Sequence, residues 1–270
     1  DMVLQGLAER FRNCAEGMGA VFRLSGDEFL MVITQVDTSY LFAYAQHLTE
    51  ALAKPCTVHE VSVTLGVSIG IARFPDHGKD LDMLFRAADI AMYESKRLKH
   101  SFHLFSDSMQ ESYLDRLDLE RHLRTALLNG ELELVYQPQV NVKGHFLGVE
   151  ALLRWQNEDL GDVPPSKFIP VAEASGMMPG IGKFVLTKAL TDIHQLHRQL
   201  GRTWHVSLNI SVRQFMQTSF LEELKETIDR VGISGSLVTL EITESLFIED
   251  VDYILHILKA EKCILDGRTD

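Results

Sequence analysis

At 270 residues the chain has room for one large or two ordinary domains, each with its own core. A net charge of −12 argues against a nucleic-acid polymer or an anionic membrane as partner, but not against a small phosphate ligand held by a metal and one arginine. The three cysteines, Cys14, Cys56 and Cys263, are odd in number, far apart and in no CxxC pattern, and read as reduced structural thiols.

No apolar run approaches the ~20 residues of a membrane span, and no signal peptide is recognisable. A cytoplasmic location without membrane insertion is therefore expected. The chain opens on an acidic residue inside an apparent helix, as a piece of a longer protein would, with any sensor or membrane segment upstream. Val3, Leu4, Leu7, Phe11 and Cys14 predict a helix over 2–14. Two apolar runs follow, Ala20–Leu24 and Phe29–Ile33, joined by Ser25-Gly26-Asp27-Glu28, and a Gly-Asp turn between such runs predicts a hairpin.

An ordinary turn would satisfy most hairpins, but the flanks narrow the choice. Val21–Phe29, with Leu65–Ala72, Ala88–Tyr93 and Lys96, resembles a GGDEF domain, the family that makes cyclic di-GMP from GTP, and covers residues 1–106. The resemblance implies an α+β, palm-like fold. It would place Gly26, Asp27, Glu28 and Lys96 at a GTP and metal site, where a hairpin tip lets backbone amides approach phosphate. Ser25 stands where the family carries its first glycine. Glu16 and Gly19 occupy the places of the arginine and aspartate of the inhibitory product site. The family's first strand and helices are expected upstream of residue 1, so cyclase activity is not expected of this chain.

Met109, Tyr113, Leu117, Glu120, Leu123 and Leu127 predict a helix across the segment 107–130, ended by Asn129-Gly130, which reads as a linker. It either couples two domains or merely connects them. Strands are predicted at Glu133–Gln137, Gly148–Arg154, His205–Ile210 and Val238–Thr243. In the second, Leu147, Val149, Ala151, Leu153 and Trp155 share one face, while Glu150, Leu152 and Arg154 share the other. Glu150 and Arg154 lie roughly 13 Å apart along such a strand, which either holds two ends of one ligand or is an edge strand with a solvated outer face. The third strand has Val206, Leu208 and Ile210 behind, with Ser207, Asn209 and Ser211 in front. The fourth has Val238, Leu240 and Ile242 behind, with Thr239, Glu241 and Thr243 in front. Between them, Val185, Ala189, Ile193, Leu196 and Leu200 form one inward helix face ending at Gly201, and Leu221, Leu224, Ile228 and Val231 another ending at Gly232.

Strands alternating with helices argue a parallel sheet with helices on its apolar back. If the sheet curls into a barrel, Glu150, Asn209 and Glu241 converge as hard oxygen ligands, suited to magnesium or manganese rather than zinc. The pairs His194/His197 and His100/His103 have metal-pair spacing but no third ligand nearby, and read as surface histidines.

The stretches Tyr136-Gln137-Pro138, Glu150–Trp155, Pro164-Pro165 with Phe168-Ile169-Pro170, Ala172-Glu173, Asn209-Ile210-Ser211 and Glu241–Ser245 resemble an EAL domain, the family that hydrolyses cyclic di-GMP. The resemblance implies an α/β chain, with a (β/α)8 TIM-like barrel represented in part by residues 131–270. It implies Glu150, Asn209 and Glu241 as metal ligands, with Glu150, Glu241 and Glu244 in the catalytic machinery. Gln137, Leu152 and Arg154 would contact the dinucleotide. A last helix is expected from Val251 and a fifth strand after it, but the family's paired aspartates are not found past Ala260, and Asp266 falls too early for the first of them. About half a barrel is therefore expected, inactive by itself and open to self-association along Val238–Thr243, and a homodimer is allowed. For the parent protein the expectation is cyclic di-GMP phosphodiesterase activity. A non-catalytic cyclic di-GMP sensor and a bifunctional cyclase/phosphodiesterase stay open.

Overall fold

The computed structural model describes residues 2–34, 38–58, 61–215, 217 and 219–242. The chain divides into two compact units, Asp1–Asp115 and Arg116–Asp270.

In the first unit, α1 (Met2–Ala15) leads into a hairpin of β1 (Gly19–Ser25) and β2 (Glu28–Ile33), in register from Gly19 against Ile33 to Ser25 against Glu28. Next come α2 (Thr38–Leu52), a short hairpin of β3 (Cys56–Val58) and β4 (Val61–Val63), β5 (Ile69–Ile71), α3 (Leu81–Arg97) and β6 (Phe102–Leu104). Strands β5 and β6 pair in parallel, with α3 as the crossover that parallel pairing requires. The stripe expected on α1 is present: Leu7 is buried with Leu48 and Leu52, and Val3, Leu4, Phe11 and Cys14 pack around them. Cys14 and Cys56 are free thiols, and burial pushes the Cys14 thiol above its ordinary value. Helix α3 starts at Asp80, whose carboxylate accepts from the Met83 amide at 2.8 Å. Its inner face, Ala87, Ile90 and Ala91, packs on Phe105. A Cβ on Gly70 would stand 1.9 Å from the Ala88 carbonyl oxygen, so the absent side chain is what lets β5 lie on α3.

Helix α4 (Asp107–Asn129) runs from the first unit into the second. Met109 and Tyr113 join the first unit's α3 cluster, whereas Leu123 and Ala126 are buried in the second unit. Leu117, expected on the same stripe, is 46% exposed. The stripe is thus two short ones, each serving its own core.

The second unit continues with β7 (Leu132–Val140), β8 (Phe146–Asn157), β9 (Gly161–Val163), α5 (Pro165–Ala174), α6 (Met178–Leu200), β10 (His205–Ile210), α7 (Val212–Phe215), α8 (Phe220–Val231) and β11 (Val238–Ile242). Its sheet has the order β11-β10-β8-β7, with β9 on the end of β8. Strands β8, β10 and β11 are parallel as expected. Strands β7 and β9 run antiparallel to β8, a departure from an all-parallel sheet. The connection 141–145 explains the first of these. It is a turn closed by the Asn141 side chain, which accepts from the amides of Lys143 at 2.9 Å and His145 at 3.0 Å. A parallel return would need about a dozen residues or more.

The apolar backs form the core: Val149, Ala151, Val206, Leu208, Ile210 and Val238 pack against Leu186, Ala189, Leu190 and Ile193 of α6 and Leu224 and Ile228 of α8. Trp155 is 1% exposed in a second cluster with Phe168, Leu123 and Ile181. Two expected core residues lie outside. Leu147 precedes the first β8–β10 pair, Gly148 with His205, and is 49% exposed. Leu200 is 56% exposed in the last turn of α6, which Gly201 closes at φ 63°. Among the described residues no helix is long and apolar enough to cross a membrane. Thr243, Glu244, Cys263, Asp266, the helix expected from Val251 and the strand expected after it lie outside the described residues.

Candidate active site

Burial of one face of β8, β10 and β11 fixes which side chains occupy the other, because a one-residue slip would exchange the faces. In the observed register Asn209 stands directly opposite Glu241, and Ser207 opposite both Glu150 and Thr239. The Asn209 Nδ2 donates to Glu150 Oε1 at 2.7 Å. On the far side Gln139 Nε2 donates to Glu241 Oε1 at 3.3 Å, and Ser207 Oγ donates to Gln139 Oε1 at 3.3 Å. Gln139 belongs to β7 and Glu241 to β11, at opposite ends of the strand order. The sheet is therefore curved strongly enough for its ends to meet across the front.

The other expected ligand-contacting residues share this face. Gln137 is the register partner of Glu150, and side chains of directly paired residues lie on the same side. Leu152 and Arg154 follow along β8, both half-buried, and Arg154 Nη1 donates to the Leu153 carbonyl at 2.8 Å. Glu244 lies outside the described residues. Gln139 is the residue that sequence reading missed. Its signal was available, since it lies two positions beyond Gln137 on one strand face.

Two half-buried carboxylates and an exposed amide on adjacent strands make an all-oxygen donor set once Asn209 turns its Oδ1 inward. That set fits a hard divalent cation. Among the described residues there is no group of three His, Cys, Asp or Glu that could hold a metal ion. His197 instead ties the end of α6 to the approach to β10, its Nε2 accepting from the Trp204 amide at 2.9 Å. His100 and His103 stack with centroids 5.2 Å apart.

At the tip of the first unit's hairpin, Gly26 adopts φ 48°, and the Arg23 guanidinium donates to its carbonyl at 2.8 and 3.1 Å. Ser25 Oγ donates to Glu28 Oε2 at 3.1 Å, so part of the tip's acidic capacity is engaged within the turn. Asp27 is exposed, and Lys96 is exposed in the last turn of α3.

Comparison with known proteins gives two family matches, the EAL domain over residues 120–264 and the GGDEF diguanylate cyclase domain over residues 1–101. The bifunctional diguanylate cyclase/cyclic di-GMP phosphodiesterase MucR of Pseudomonas aeruginosa is 32% identical over 96% of this chain and 38% of its own length. The cyclic di-GMP phosphodiesterase PdeR of Escherichia coli is 31% identical over 96% of this chain and 39% of its own. The chain thus spans less than half the length of these relatives. Among solved structures, the PaMucR phosphodiesterase in complex with c-di-GMP superposes with a TM-score of 0.53 at 33% identity, over 54% of this chain and 60% of that one. The EAL enzyme Bd1971, bound to cAMP and cyclic di-GMP, gives 0.53 at 32% identity, over 57% and 43%.

Proposed function

The chain belongs to the EAL domain family, with a GGDEF domain preceding it in tandem, and from that membership we propose that its parent protein hydrolyses cyclic di-GMP to the linear dinucleotide. The observation that carries this reading is the convergence of Glu150, Asn209 and Glu241 on one polar sheet front, with Asn209 paired in register with Glu241 and hydrogen-bonded to Glu150, and Gln139 hydrogen-bonded to Glu241. EAL phosphodiesterases depend on a divalent metal, and the oxygen donor set favours magnesium or manganese here. Glu150, Asn209 and Glu241 would hold it. When bound, such an ion supplies charge neutralisation at the phosphodiester and acidifies water for in-line attack.

The remaining roles fall to the chain's own side chains. Arg154, further along β8, offers a planar fork of donors to a phosphate oxygen and so fixes the diester relative to the carboxylates. Gln137 and Leu152 position the dinucleotide from the same face, and Glu244 is assigned to the catalytic machinery by family membership alone. We read residues 107–130 as a linker helix between the GGDEF portion, 1–106, and the EAL portion, 131–270, in a cytoplasmic protein. In the GGDEF portion, Gly26, Asp27, Glu28 and Lys96 are the positions GTP would meet. The Ser25–Glu28 bond at the tip favours a regulatory over a cyclase role.

The test is Glu150→Ala in the full-length protein. Hydrolysis of cyclic di-GMP with magnesium or manganese should be lost, while circular dichroism stays unchanged. A variant that linearises cyclic di-GMP at the parental rate would overturn the assignment.

A further inference from the structure

We propose that Gln139 is a positioning residue for this hydrolysis, fixing the Glu241 carboxylate by one oxygen so that the other stays available to the divalent cation. The proposal rests on the reading of Glu241 as a metal-holding residue. Three observations carry it. First, the bond from Gln139 Nε2 reaches Glu241 Oε1 alone, at 3.3 Å. Second, the amide is oriented from behind: Ser207, 4% exposed, donates to Gln139 Oε1 at 3.3 Å, which turns the donor end of the amide toward Glu241. A relay Ser207→Gln139→Glu241 is thereby polarised in one direction. Third, Gln139 is paired in register with Gly148, which has no side chain to stop it crossing the sheet front. The brace joins β7 to β11, which are not neighbours in the sheet. It therefore sets the Glu241 carboxylate against the opposite wall of the site, where backbone pairing does not reach. Partners of this kind orient metal-holding carboxylates and tune their affinity.

The experiment uses Gln139→Met in the full-length protein, a side chain of similar length without either amide atom. Manganese affinity is measured by calorimetry without substrate, together with the manganese dependence of turnover. Loss of the brace should weaken manganese binding about tenfold. Near-parental kcat should return at saturating manganese, and cyclic di-GMP binding in a chelator should stay within about twofold. Ser207→Ala, which leaves Gln139 in place but frees its amide to turn, should shift manganese affinity in the same direction by less. Unchanged manganese affinity in Gln139→Met overturns the proposal, as does a loss of manganese and dinucleotide binding in step with a lowered melting temperature. Glu241→Gln separates the two readings. If it leaves manganese binding intact, the metal assignment itself fails. If it weakens manganese while Gln139→Met does not, only the role of Gln139 fails.

Discussion

Glu131 collects three side-chain donors on one carboxylate: Asn157 Nδ2 at 2.8 Å, Trp155 Nε1 at 2.9 Å and Asn129 Nδ2 at 2.7 Å. These bonds, Asn157's foremost, hold its carboxyl below the ordinary glutamate range. Nothing in the sequence marks it, because a glutamate after a helix-ending Asn-Gly looks like a solvated turn residue and two of its partners come a whole strand later. Glu150, by contrast, was legible because alternation along a half-buried strand exposes any charge on the front. Glu131→Ala should destabilise the second unit by about 1–3 kcal/mol, since the indole N–H of a buried tryptophan loses its acceptor. The pH dependence follows from the lowered carboxyl. Its stabilising contribution is complete above the unfolded glutamate pKa of about 4.3 and disappears as pH falls through the lower, folded value. The gap between urea melts of parent and variant should therefore narrow as pH falls below about 4.3, and a gap that stays constant through the acid range would count against this role. Arg154→Ala belongs to the same order of size. In the full-length protein it should weaken cyclic di-GMP binding by about tenfold or more while leaving magnesium binding intact, and unchanged dinucleotide affinity by calorimetry would remove Arg154 from the site.

Strands β8, β10 and β11 were legible because helices cover one of their faces and leave the other polar, so the period of two survives in the sequence. Pairing direction was less so. Apolar alternation is the same in both directions, and only the Asn141 turn, read as a turn, would have shown that β7 comes back antiparallel. Leu147 and Leu200 obey their periodicity but lie past the ends of the packed surface, a boundary that no period encodes. Gly70 is a different case, a residue whose role is the space it leaves. Besides the Ala88 carbonyl oxygen at 1.9 Å, an added Cβ would meet the Met92 amide nitrogen at 2.3 Å. Both are helix backbone and cannot swing aside. Gly70→Ala should cost about 3 kcal/mol by forcing β5 off α3. Chemical denaturation should show the first unit's transition displaced and the second unit's unchanged. A displacement under about 0.5 kcal/mol, the range of an ordinary surface change, would mean that β5 does not lie as close to α3 as described.

Helix α4 is one continuous helix serving two cores, and its sequence blurs that division. Met109 and Tyr113 belong to the first unit's cluster, while Leu119, Leu123, Ala126 and Leu127 belong to the second's. Between them Leu114 and Leu117 are 53% and 46% exposed. Read as one stripe, the apolar spacing predicts a uniform helix face, since periodicity reports that a residue could face a core and not which core it faces. Leu117 belongs to neither described cluster, so a proline there replaces no member of either core. It would remove one intrahelical hydrogen bond and clash with the carbonyl four residues back, breaking the helix there. The downstream segment could restart with proline in its first turn, where the missing N–H is tolerated. Leu117→Pro should therefore leave two calorimetric transitions, each within a few degrees of the parent's, while helical ellipticity falls by about one turn of helix. Leu123→Ala, by contrast, removes a side chain that is 3% exposed and should cost the second unit alone about 2–5 kcal/mol. If Leu117→Pro instead abolishes the second unit's transition, α4 is not two stripes joined by an exposed middle. The second unit's fold would then depend on the helix being whole.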